Sequence, residues 1–155
     1  MKKQIGFLVL TLVMAIVAFA GAQEDGKRLR ILISNDDGYD TPGIRALAAA
    51  MAELGDVTVV APKGNQSGTS QSIVYKVPIF FGQAEPIGEA PVWWVDATPA
   101  TTVNFALRGV YENDLPDLIV SGINKGVNIG DAVYYSGTIG AAREDQPAGR
   151  HRCGD

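Results

Sequence analysis

The sequence predicts an α/β fold built on a mainly parallel sheet, and three observations carry that prediction. Leu29-Arg30-Ile31-Leu32-Ile33 is an apolar run that ends at the polar stretch Ser34-Asn35-Asp36-Asp37-Gly38. Ile44, Leu47, Ala48, Met51 and Leu54 then recur at helical spacing. Asp56-Val-Thr-Val-Val-Ala61 follows as a second strand. Strand, helix and strand in so short a span form a βαβ unit, and such units make parallel sheets with helices on their faces. The expected architecture is a Rossmann-like three-layer sandwich.

The elements follow in order. Leu29 to Ser34 is a strand. Thr41 is an N-cap candidate and Pro42 suits the first helical position, so a helix is expected over 42–54, ended by Gly55. Asp56 to Ala61 is the second strand, and Pro62 to Ser72 is a polar loop. Ile73 to Phe81 is extended, with Pro78 placing it at an edge or outside the main sheet. Gln83 to Pro91 reads as loop, and Val92 to Val95 as a short strand. Thr98-Pro99 opens a helix expected to run to about Val110. Asp117 to Ser121 reads as a buried strand, Gly122 to Tyr135 as a Gly/Asn-rich loop, and Ser136 to about Glu144 as a helix.

The N-terminus is a separate object. Met1-Lys2-Lys3 is a basic start, Ile5 to Phe19 is almost wholly apolar, and Ala18-Phe19-Ala20 and Ala20-Gly21-Ala22 offer small residues at a cleavage site. Residues 1–22 therefore read as a signal peptide, residues 23–28 as a linker and residues 29–144 as the folded domain. The expected location is periplasmic or secreted, with no stable membrane anchor after cleavage. The cleaved chain would carry 11 basic and 17 acidic residues, a balance that argues against binding a nucleic acid polymer. Cys153 is the only cysteine, so no intrachain disulfide forms.

The residues that are missing narrow the chemistry. His151 is the only histidine, and it lies with Cys153 in the last five residues. Ser-His-Asp triads, cysteine nucleophiles and histidine-rich zinc sites lack their parts in the remainder of the chain. Asp36 and Asp37 stand where a strand ends, which is where ligands bind in open α/β sheets. Adjacent carboxylates repel, and a hard divalent cation converts that repulsion into binding. Capping and Asx-turn chemistry is the competing explanation. An aspartyl phosphatase would want Asp-x-Asp, which this spacing does not supply.

Other rim segments carry the same ambiguity. Ser67, in Asn65-Gln66-Ser67-Gly68, offers a hydroxyl to a metal or phosphate, or simply belongs to a surface loop. Asn124, in Ser121-Gly-Ile-Asn-Lys-Gly126, offers a neutral oxygen to a cation, and the glycines allow an anion close to the backbone. Tyr135-Ser136-Gly137-Thr138 opens a helix and suits an anion, or an ordinary cap. Trp93 and Trp94 read as packing rather than a stacking platform.

Taken in order, these segments resemble the SurE family of metal-dependent nucleotidases, also described as acid phosphatases. The resemblance runs over about residues 29–144. It rests on Ser34-Asn-Asp-Asp-Gly38 with Pro42-Gly43-Ile44, Val60-Ala-Pro62, Ser67-Gly68, Thr98-Pro99, Ser121-Gly-Ile-Asn124 with Gly126 and Asn128, and Tyr135-Ser-Gly-Thr138. It implies that Asp36, Asp37, Ser67 and Asn124 coordinate one Mg²⁺ or Mn²⁺. It implies that Asn128, Ser136, Gly137 and Thr138 hold the substrate phosphate. The implied reaction is hydrolysis of a nucleoside 5′- or 3′-monophosphate, or another small phosphomonoester, with Asp36 or Asp37 as the nearest general base. The family also forms homo-oligomers through an arm beyond the length of this chain.

Two features depart from the family. The export signal is one, because the family is usually cytoplasmic. The tail over residues 145–155 is the other: Pro147 stops a helix, and the segment has no apolar pattern. Read one base forward, codons for His151-Arg-Cys-Gly154 permit Ile followed by small apolar residues, so a lost reading frame near Glu144 is expected. The alternative function is then a catalytically inactive fragment that at most binds nucleotide or phosphate.

Overall fold

The computed structural model describes residues 28–112 and 114–145. The signal peptide expected over 1–22, most of the 23–28 linker and nearly all of the 145–155 tail lie outside the described residues. Arg28, the one linker residue described, is tied down: its guanidinium donates to Asp56 at 2.7 Å and to the carbonyls of Ala52 and Gly55. Among the described residues, no helix is long and apolar enough to cross a membrane.

Five strands form one sheet: β1 (Leu29–Ser34), β2 (Gly55–Pro62), β3 (Phe81–Ile87), β4 (Ala90–Val95) and β5 (Leu118–Ser121). Their spatial order is β3-β4-β2-β1-β5. The β1–β2, β1–β5 and β2–β4 pairs are parallel, and only β3–β4 is antiparallel. Successive side chains of β1 point to opposite faces, so the apolar run serves two cores. Ile31 and Ile33 pack with Ile44 and Ala48 of α1 (Pro42–Met51) on one face. Leu32 packs with Val103 of α2 (Pro99–Phe105) and Ala141 on the other. These are the three layers the sequence predicts.

Two further helices complete the described chain: α3 (Ala132–Tyr135) and α4 (Gly137–Ala142), the latter followed by a 3₁₀ turn over Arg143–Asp145. The sheet reverses its winding at β1. β2 follows β1 through α1 on one side, and β5 flanks β1 on the other. The crevice between the carboxyl ends of β1 and β5 is therefore the place where this topology puts a ligand.

Several expected elements are corrected. Residues 83–91 are not a loop: β3 and β4 form a hairpin turning at Gly88-Glu89. β3 is an edge strand with alternating half-exposed residues, so its polar Gln83 and Glu85 cost nothing. α1 ends at Met51, before the expected 54, because the chain must enter β2 at Gly55, which registers against Leu29. The helix expected to about Val110 changes to a π-turn over Ala106–Val110. β5 begins at Leu118 and is half-exposed rather than buried; among the described residues it is the last strand on that side of the sheet. The 122–135 loop contains the single-turn α3.

Candidate active site

The loop after β1 is built around Asn35, which is fully buried. Its side chain closes the turn from both sides. Oδ1 accepts the Gly38 N–H at 3.0 Å, and Nδ2 donates to the Gly38 carbonyl at 3.0 Å. Gly38 takes φ of +119°, a conformation that disfavours any side chain. This turn presents Asp36 and Asp37 to different surroundings.

Asp36 is buried, with 3% of its surface exposed. Its Oδ1 accepts the Thr138 hydroxyl at 2.7 Å, and its carbonyl accepts the Gln66 N–H at 2.7 Å. Oδ2 accepts no hydrogen bond from the described residues. Asp37 is half-buried; its Oδ2 accepts the backbone N–H of Lys125 at 2.8 Å, and its Oδ1 lies 3.5 Å from Asn65 Nδ2. Among the described residues, neither carboxylate has a cationic side chain within ion-pair distance. Two adjacent carboxylates, one of them buried, therefore stand without a counter-charge from the described residues, an arrangement that is costly unless something supplies one.

The expected partners gather here. Ser67 Oγ accepts from Asn65 Nδ2 at 3.0 Å, so Asn65 bridges Ser67 and Asp37. Asn124 donates its amide to the Gly126 carbonyl at 3.1 Å, which leaves its side-chain oxygen free to coordinate. The donor set of Asp36, Asp37, Ser67 and Asn124 consists wholly of oxygens, the chemistry of a hard divalent cation. Among the described residues no group of three or more His, Cys, Asp or Glu gathers, so the neutral oxygens of Ser67 and Asn124 are needed to complete such a set.

Close packing brings the loops together. The Gly122 N–H donates to the Ser34 carbonyl at 2.9 Å, extending the β1–β5 ladder into the loops. A Cβ on Gly43 would lie 2.3 Å from the Ile123 carbonyl, so the start of α1 presses on the loop after β5. Between them runs a groove of about 450 Å³ lined by Asp37, Pro42, Asn65, Ile123, Asn124 and Lys125. Ser34 and Ser121 register as neighbours at the strand ends beneath it, and their hydroxyl oxygens are buried without partners among the described residues.

The residues expected to bind phosphate divide. Ser136, Gly137 and Thr138 are all buried at the start of α4. Ser136 Oγ accepts the Ile139 N–H at 3.2 Å, so its own proton remains available. A Cβ on Gly137 would lie 2.8 Å from Asp36 Cβ, which puts α4 directly against the carboxylate. Asn128 lies in the loop between β5 and α3, and no hydrogen bond joins its side chain to the Asp36–Asp37 cluster. Sequence reasoning passed over Asn65 and the Lys125 backbone as contacts of Asp37. Their place in polar rim loops was the one available signal.

Comparison with known proteins identifies the family. Residues 31–150 match the family described as Survival protein SurE. The chain is 47% identical over 121 residues to a 5′-nucleotidase SurE of Vibrio vulnificus, covering 78% of this chain and 46% of that protein. It is 47% identical over 116 residues to one of Methylococcus capsulatus, covering 75% and 44%. The crystal structure of the SurE protein from Aquifex aeolicus superposes with a TM-score of 0.66 at 41% identity, over 74% of this chain and 45% of that one. The chain thus spans somewhat under half the length of the relatives it matches. A family match over residues 31–150, most of the chain, places this chain in the SurE family.

Proposed function

We propose that this protein is a divalent-cation-dependent phosphomonoesterase that hydrolyses nucleoside monophosphates to nucleoside and phosphate. The observation that carries the reading is the pair Asp36–Asp37, held at the β1–β5 crevice with no cationic side chain from the described residues to balance it. The 5′-nucleotidase names of its relatives support the substrate class.

Asp36, Asp37, Ser67 and Asn124 would hold one Mg²⁺ or Mn²⁺. Bound there, the cation supplies a Lewis acid for a phosphoryl oxygen. The chain's own residues do the rest. Ser136, with its proton uncommitted, would donate to the phosphate, and the Gly137 and Thr138 backbone N–H groups at the start of α4 would supply further donors. Asn128, in the loop between β5 and α3, is assigned to the same phosphate. Asp37 lines the groove while Asp36 is buried, so Asp37 is the carboxylate within reach of the attacking water's proton. Ile123 and Pro42 give the groove an apolar side on which a nucleoside can lie.

The test is phosphate release from nucleoside 5′- and 3′-monophosphates and a generic aryl phosphate, for the wild-type chain and Asp37→Ala. The expected loss is at least about 100-fold, above the 10–100-fold typical of residues behind a metal ligand. A folded, nucleotide-binding wild-type chain with no turnover would favour the inactive alternative. Export is part of the same proposal: N-terminal sequencing of the extracytoplasmic protein is expected to begin at Gln23, and an intact Met1 in that fraction would refute cleavage.

A further inference from the structure

We infer that Thr138 is a positioning residue for Asp36 and does not hold the substrate phosphate through its side chain; this rests on the proposed role of Asp36 in holding a divalent cation. The two side chains are 102 residues apart in sequence and meet at 2.7 Å, with Asp36 3% and Thr138 8% exposed. An ionised carboxylate only accepts, so Thr138 Oγ1 is the donor. A hydroxyl has one proton. Spent on Asp36, it leaves only lone pairs for any other group, and a phosphate oxygen needs a donor.

The surrounding packing favours the same role. The Gln66 N–H fixes the Asp36 carbonyl at 2.7 Å, so the backbone of Asp36 is held from one side. Gly137 brings α4 within contact of its side chain, since a Cβ there would fall 3.0 Å from Oδ2. The Thr138 hydroxyl then fixes Oδ1 and with it the carboxylate's rotation, leaving Oδ2 as the oxygen free to coordinate. Partners of this kind, standing behind a metal ligand, orient it and tune its affinity.

The experiment is calorimetric titration of the full chain with Mn²⁺ alone, and with inorganic phosphate at saturating Mn²⁺, for wild type, Thr138→Val and Thr138→Ser. Thermal unfolding is recorded for each. The valine variant is expected to weaken Mn²⁺ binding about 10–100-fold and phosphate binding less than about threefold, with serine restoring Mn²⁺ binding to within about threefold of wild type. Unchanged Mn²⁺ affinity in a folded valine variant, or a loss confined to phosphate, overturns the inference. If the valine variant does not fold, Thr138→Ala carries the same comparison. Wild type binding no Mn²⁺ sinks both this inference and the proposed function. Wild type that shows the Thr138 pattern yet hydrolyses no phosphomonoester upholds the inference and sinks the function alone.

Discussion

The site depends on a few residues whose neighbours leave them no freedom. Gly137 is the sharpest case. The added carbon of Gly137→Ala would meet Asp36 Cβ at 2.8 Å and Pro99 Cγ at 3.1 Å, so the carboxylate or α4 must move. Overpacking of this kind costs about 1–3 kcal/mol. Misplacing a reacting group by about 1 Å costs on the order of 100-fold in rate. Urea melts and phosphate release on the same sample are expected to show both losses; a fully active, fully stable Gly137→Ala would remove Asp36 from the account. Asn35→Ala strands the buried polar groups of the Gly38 turn, at about 1–3 kcal/mol by the same melts.

Individual elements follow from the sequence wherever burial on both faces left a strong pattern. The centre of β1, Ile31-Leu32-Ile33, reads as an unbroken apolar run because Ile31 and Ile33 serve one core and Leu32 the other. Ile33→Ala, at a fully buried position, is expected to cost about 2–5 kcal/mol, checked by equilibrium urea unfolding. α1 is legible from Pro42 and its spaced apolar residues, although its last turn yields to the demands of Gly55. β3 was missed because an edge strand needs no apolar face, and Phe81-Gly-Gln-Ala-Glu-Pro-Ile87 offers little of one. The Gly88-Glu89 pair between Ile87 and Ala90 was the overlooked hairpin signal. The rim positions of Asp36, Asp37, Ser67 and Asn124 were legible, because each follows a strand. The Thr138–Asp36 bond was not, because no spacing rule reaches across 102 residues.

At the scale of the molecule, three layers bring residues 36, 67, 124 and 138 to one end of the sheet. Arg30 anchors the opposite end of β1 to Asp114 and Asp117, and hydrogen bonding to Asp117 raises its guanidinium above the ordinary value. Burial likewise raises the Tyr111 phenol above its usual range near about 10. The folded chain thus keeps this proton longer than the unfolded chain does. Stability is then undiminished below about pH 10 and falls as pH rises toward the folded value. Urea midpoints at pH 9 and 11 are expected to show a steeper alkaline loss in wild type than in Tyr111→Phe, and equal slopes would contradict it.

The central claim is that Asp36 and Asp37 serve phosphomonoester hydrolysis through a bound divalent cation. Its most direct test is phosphate release from a nucleoside 5′-monophosphate by the wild-type chain, first in EDTA and then with Mn²⁺ restored. The expected result is loss of turnover to the buffer blank in EDTA and recovery as one Mn²⁺ per chain is bound. Turnover that persists undiminished in EDTA would contradict it.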